Sequence, residues 1–188
     1  MAEGIILAAG YSSRTKNNKM LFTIQGKSFI RHAIEGMKPF VSHVFIVTGH
    51  YDQEIRKEVS DIKDVSCVYN PQYDLGMFSS IQTAVKVISD DFFVLPGDCP
   101  FVDQSTYEAL LHGSKEMRVP SFNGNKGHPL WIAKHLIEPL LKEPIQSNLK
   151  AFRNRYDLEI MEVHDPKILT DIDTIEDFKK IERRYKED

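Results

Sequence analysis

Gly4-Ile5-Ile6-Leu7-Ala8-Ala9 is an unbroken apolar run that stops at Gly10. Because it does not alternate with polar residues, a strand made from it has no face to give to water. Such strands belong to parallel sheets covered by helices on both sides. The same composition returns at Val44-Phe45-Ile46-Val47, closed by Thr48-Gly49, and at Phe92-Phe93-Val94-Leu95, closed by Pro96-Gly97. Val65 to Tyr69 carries a weaker strand pattern. Between the runs the period changes to that of a helix: Phe29, Ile30, Ala33, Ile34 and Met37 share one face, as do Ile81, Ala84, Val85 and Ile88. Further helices are expected around Tyr107, Leu110 and Leu111, around Leu136, Ile137, Leu140 and Leu141, and from about Ile175 through Phe178 and Ile181. The last is headed by Asp173-Thr174-Ile175-Glu176, shaped like a capping box with Asp173 as cap. Alternating strands and helices predict an α/β fold with a mostly parallel sheet and right-handed crossovers.

Composition sets the outer limits. The 188 residues are 41% apolar and 27% charged, too apolar for a disordered chain and too charged for a membrane protein. A net charge of -3 argues against a nucleic-acid partner held by bulk electrostatics. Cys67 and Cys99 make neither a zinc-type pair nor a disulfide framework. No signal-peptide pattern opens the chain, and no apolar run approaches the ~18 residues needed to span a bilayer. No repeat or linker divides residues 1–188, so one cytoplasmic domain without a membrane partner is expected.

In a parallel sheet the loops that follow the strands open on one edge, where ligands of such folds bind. The loop from Gly10 to Lys19 is small and polar, with Ser12, Ser13, Arg14 and Lys19; its backbone N–H groups and cations suit phosphates, although GxxxxGK[ST] and GxGxxG are absent. An ordinary solvated loop has the same composition. Pro96-Gly97-Asp98-Cys99-Pro100 places a carboxylate on a short, stiff turn, fit either for Mg²⁺ or for bonding its own backbone. Cys99 reads as a turn-filler rather than a nucleophile. Asp171 and Asp173 would share one face of an extended segment, and the helix cap is the stronger reading of Asp173. Asn70 to Ser80 brings Gly76, Ser79 and Ser80 to a helix N-terminus, suited to an anion or to plain capping. In Gly127-His128-Pro129, His128 is either a structural turn residue or a substrate contact.

Taken in order, these segments resemble the MobA-like nucleotidyltransferases, most of all their molybdenum cofactor cytidylyltransferase branch. The family opening, approximately LAAGxSxRMGxxK, is matched from Leu7 to Lys19 except that Thr15-Lys16 replaces Met-Gly. NPxxxxGMxxS is matched from Asn70 to Ser80, GDxP from Gly97 to Pro100, GHP from Gly127 to Pro129, and DxDTxED from Asp171 to Asp177. The resemblance implies a single Rossmann-like three-layer domain that transfers a nucleotidyl group from an NTP with Mg²⁺ and releases pyrophosphate. In that branch the nucleotide is CTP and the acceptor is the terminal phosphate of a molybdopterin-type cofactor, bound for a molybdoenzyme. It also implies roles. Leu7, Ala8, Ala9, Gly10, Ser12, Ser13 and Arg14 would cradle the nucleotide, with Asn70, Gly76, Ser79 and Ser80 beside it. Lys19 would neutralise the phosphate chain together with Arg14. Asp98 and Asp173, with Asp171 as the other candidate, would hold the metal, and Gly127 and His128 would face the acceptor. Two other functions fit the residues: transfer to a sugar phosphate or other small phosphorylated acceptor, and a non-catalytic cofactor-handover protein.

Overall fold

The computed structural model describes residues 1–11, 18–172, 174 and 176–180. Among the described residues there are ten strands: β1 Ala2–Ala8, β2 Thr23–Ile24, β3 Lys27–Ser28, β4 Val41–Thr48, β5 Val65–Tyr69, β6 Phe92–Pro96, β7 Met117–Phe122, β8 Asn125–Lys126, β9 Leu130–Ile132 and β10 Leu158–Glu162. The α-helices are α1 Phe29–Met37, α2 Asp52–Val59, α3 Met77–Val85, α4 Gln104–Leu111, α5 Ile137–Lys142 and α6 Leu149–Arg153, and residues 176–180 form a further helical turn.

The main sheet runs β10-β7-β9-β6-β1-β4-β5, with β8 beside β7. β1 pairs in parallel with both β4 and β6, and β4 pairs in parallel with β5. β9 runs antiparallel to both its neighbours, β6 and β7. From β1 the chain winds outward through β4 and β5, then returns to place β6 on the other side of β1. The carboxyl ends of β1 and β6 therefore flank a topological switch point, the crevice in which open α/β sheets bind ligands.

The unalternating runs are explained by two apolar layers. Ile6, Ala8, Phe93 and Leu95 face one side, packed with Ile30, Ile34 and Met37 of α1, Ile55 of α2 and Leu110 of α4. Ile5, Val47, Phe92 and Val94 face the other, against Phe78, Ile81 and Val85 of α3, Leu140 of α5 and Phe152 of α6. Each fully buried Ile or Phe contributes roughly 1.5–3 kcal/mol. A third, smaller cluster joins Ile24, Phe29, Phe101 and Ile172, with Phe178 closing on Phe22 and Phe29.

The α3 helix begins at Met77 and ends at Val85, ahead of Ile88, which the periodicity had included. The capping box is displaced by one residue from the expected position. Thr174 is the cap: its Oγ1 accepts from the Asp177 N–H (3.1 Å), while the Asp177 carboxylate accepts from the Thr174 N–H (3.0 Å) and hydroxyl (2.7 Å). The cap assigned to Asp173 and Glu176 is thus filled by Thr174 and Asp177. Asp173, Ile175 and Ile181 themselves lie outside the described residues.

Candidate active site

Leu7 and Ala8 finish β1, and Ala9 follows them into the crevice. The Gly97 N–H donates to the Leu7 carbonyl at 2.9 Å, and the His50 N–H donates to that of Ala9 at 3.4 Å. Gly97 is needed for close approach: a Cβ there would stand 2.9 Å from the Leu7 carbonyl oxygen and 2.5 Å from Met20 Sδ. Buried Met20 rests against this bare turn. It follows Lys19 in the 3-10 turn Lys19–Leu21, which Asn18 caps by accepting from the Met20 N–H at 3.2 Å.

Anchoring Met20 in this way delivers Lys19. Its Nζ reaches Asp98 Oδ2 at 2.8 Å and the Ile172 carbonyl at 3.3 Å. The Asp98 carboxylate thus meets a cation rather than its own backbone, and its carbonyl accepts from the Ile172 N–H at 3.1 Å. The side chains are 14% and 26% exposed, so the pair is open to a ligand on one side. Gly10 lies at the exposed mouth of the same crevice, with open space around its Cα.

Cys99, next along the turn, is fully buried, and its thiol donates to Asp171 Oδ1 at 2.9 Å. The ligating atoms of Cys99, His128 and Asp171 lie within 4.8 Å of one another. His128 is held by its own N–H, which donates to the Ile168 carbonyl at 3.0 Å. Gly127 is again a place for bare backbone, since a Cβ would fall 2.4 Å from the same carbonyl oxygen. Burial pushes the His128 imidazole below its ordinary range, against the pull of the Asp171 and Asp98 charges. Burial, with the Asp171 carboxylate facing it, drives the Cys99 thiol far up, so it rests protonated.

The Asn70–Ser80 segment is built from inside. Buried Asn70 donates from Nδ2 to Ser79 Oγ (2.9 Å) and Ser80 Oγ (3.1 Å) and accepts from the Gln72 N–H (2.9 Å). The Ser79 hydroxyl faces the Gln72 and Gly76 carbonyls at 2.9 and 2.7 Å. These hydroxyls are turned inward, so neither serves as the cap of α3. That position belongs to Gly76, at φ +95°, ψ -176°, a conformation nearly reserved for glycine.

The same edge carries an aromatic rim that the sequence reading passed over. Tyr11, after β1, packs with His50 and Tyr73, ring centroids 4.9 and 5.3 Å away. The Tyr51 hydroxyl donates to the Tyr11 carbonyl at 3.3 Å, and Tyr11 remains 47% exposed. Four aromatic residues from three separate loops share no linear pattern. Only the strand order, with the ends of β1, β4 and β5 side by side, could have announced them. Ser12, Ser13, Arg14 and Asp173 lie outside the described residues.

Residues 4–160 match the MobA-like NTP transferase domain. The chain belongs to that family. A molybdenum cofactor cytidylyltransferase of Escherichia coli K12 is 26% identical over 185 residues, covering 97% of this chain and 96% of its own. A probable molybdenum cofactor guanylyltransferase of Bacillus cereus is 35% identical over 138 residues, or 70% of this chain and 67% of its own. In fold, a nucleotidyl transferase from Methanothermobacter superposes with TM-score 0.85 at 21% identity, covering 100% of this chain and 98% of that one. This MobA-like chain is a nucleotidyltransferase with a mostly parallel α/β sheet, and no helix among its described residues is long and apolar enough to cross a membrane.

Proposed function

We propose that this enzyme transfers CMP from CTP to the terminal phosphate of a molybdopterin-type acceptor, releasing pyrophosphate, and that the product passes to a molybdoenzyme. The observation that carries this reading is the Lys19–Asp98 pair at the β1–β6 switch point, a cation and an acid side by side where a triphosphate would enter. An acceptor phosphate oxygen forms a bond to the α-phosphorus as the bond from that phosphorus to the bridging oxygen breaks, and pyrophosphate leaves with the electron pair. The attacking oxygen is already anionic, so no strong base is required.

The protein's task is then to position reactants and to answer developing charge. Lys19, with Arg14 from the sequence motif, neutralises the departing phosphates. The turn of Gly97 and Asp98 fits Mg²⁺: it offers a hard carboxylate oxygen, partly exposed, on a stiff backbone. Asp98 would hold the ion with Asp173, whose expected capping duty Thr174 performs, or with Asp171. When bound, Mg²⁺ withdraws charge from the phosphates. Leu7 to Gly10 line the nucleotide side, to which the sequence motif assigns Ser12 and Ser13 as well, while Gly127 and His128 face the acceptor. Asn70, Ser79, Ser80 and Gly76 act on the nucleotide through the shape of their loop.

The 35% identity to a guanylyltransferase keeps GTP as the second reading of the base. The test is pyrophosphate release with CTP, GTP, ATP and UTP, with and without molybdopterin, followed by mass analysis of the product. Release that needs both CTP and the pterin, with a cytosine dinucleotide product, supports the proposal. Release with GTP alone reassigns the base. Release only with a sugar phosphate overturns the acceptor, and binding without release overturns catalysis.

A further inference from the structure

The crevice holds a second donor set built around Cys99, a residue to which the proposed transfer gives no part; its other two members, His128 and Asp171, border the transfer site itself. Cys99 comes from the turn after β6, His128 from the turn before β9, and Asp171 from the segment that follows the last strand. Three backbone contacts fix these segments together: His128 N–H to the Ile168 carbonyl, Ile172 N–H to the Asp98 carbonyl, and the close seat of Gly127 on Ile168. The result is a thiol, an imidazole and a carboxylate whose ligating atoms all lie within 4.8 Å of one another. Donors on one zinc ion stand 2.0–2.3 Å from it, so shifts of about one ångström or less bring the set around one ion, the widest pair closing and the Cys99–Asp171 pair, now 2.9 Å apart, opening.

The arrangement does not suit a cysteine nucleophile. In such a triad the imidazole takes the thiol proton and the carboxylate orients the imidazole. Here the carboxylate accepts the thiol hydrogen bond directly, at 2.9 Å. Nor does it suit Mg²⁺, which takes oxygen donors and avoids sulfur.

We propose that Cys99, His128 and Asp171 form a binding site for a thiophilic divalent metal of the zinc class, adjoining the hard-ion position at Asp98, whose Oδ1 lies 3.9 Å from Cys99 Sγ. The Sγ–H bond breaks, an Sγ–metal bond forms, and the proton leaves to solvent; no oxidation state changes. Asp171 is exposed and offers the ion its way in, while Cys99 fixes the inner end. Three protein ligands leave a fourth position open toward the crevice. The site does not depend on the identity of the acceptor or of the base.

The test uses the full-length chain, stripped with a chelator and titrated with Co²⁺. One equivalent should produce the near-ultraviolet thiolate-to-cobalt band, release about one proton, and be displaced by one equivalent of Zn²⁺ but not by millimolar Mg²⁺. Cys99→Ser should abolish the band and Cys67→Ser should keep it. Because Cys99 is fully buried, folding of its variant is checked by circular dichroism, and the exposed Asp171→Asn change provides an independent arm, with affinity reduced at least tenfold. The proposal fails if the folded wild-type chain shows no band, if the band survives Cys99→Ser or vanishes in Cys67→Ser, if Mg²⁺ displaces the cobalt, or if Asp171→Asn leaves affinity unchanged. Every readout is taken without nucleotide, so failure here and failure of the transfer reaction are distinguishable.

Discussion

Lys19 Nζ stands 2.8 Å from Asp98 Oδ2, although 79 positions separate the two residues in the chain. Each places an opposite charge beside the other, and under the proposed function each exchanges that contact for one with a metal-bound triphosphate. Asp98→Ala and Lys19→Ala should each lower turnover at least about a hundredfold, the usual cost of one well-placed electrostatic contact. The double variant should lose little more than either single one, because the two groups act as a unit. Pyrophosphate release at saturating nucleotide reads both.

Gly97→Ala places a methyl group 2.9 Å from the Leu7 carbonyl oxygen, which belongs to a central strand and cannot yield. Destabilisation of roughly 1–3 kcal/mol is expected, as for other overpacked sites. A lower urea midpoint with unchanged slope would register it. Activity should fall further than stability, since Met20 and with it Lys19 must shift.

Asn70→Ala removes three hydrogen bonds from a buried position and strands the Gln72 N–H. The cost should be about 1–3 kcal/mol in denaturant unfolding. KM for the nucleotide should rise more than kcat falls, because the residue shapes a binding loop. Asn70→Asp keeps the acceptor for Gln72 but loses both donors, so it should recover only part of the stability.

Tyr11→Ala tests the aromatic rim. If the nucleotide base stacks there, KM should rise by about tenfold or more, in line with the ~1–3 kcal/mol of base–aromatic stacking. Turnover at saturation should hold. An unchanged KM would move the base elsewhere on the edge.

The central strands were legible because burial on both faces leaves an unmistakable residue pattern. Val65–Tyr69 was marked by its β-branched and aromatic residues even though it lies at the sheet edge. Helix α2 escaped because only Ile55 and Val59 of its eight residues are buried. Strand β7 has no clear pattern in the sequence because a charged residue, Arg118, and a proline, Pro120, interrupt it; in the fold the Arg118 guanidinium lies 3.6 Å from the centre of the Trp131 ring. Leu130-Trp131-Ile132 has the apolar composition of strand β9, but its antiparallel direction follows from the path of the chain and not from those residues.

The candidate site divides in the same way. Lys19, Asp98 and the Asn70 loop stood out through motif spacing. Cys99 was passed over as a turn-filler because its partner Asp171 lies 72 positions away, and nothing local to either residue reports their meeting. Thr174 displaced Asp173 as the cap because either residue type can fill that role, and only the backbone path chooses between them.

The match to the transferase domain stops at residue 160, yet Ile172 is driven to full burial between Ile24, Phe29 and Phe101. Shortening the protein to that border would pull this plug and leave an adhesive socket on the surface. A minimal version cut by homology alone should therefore clump rather than work, and the tail must travel with any engineered form of the enzyme.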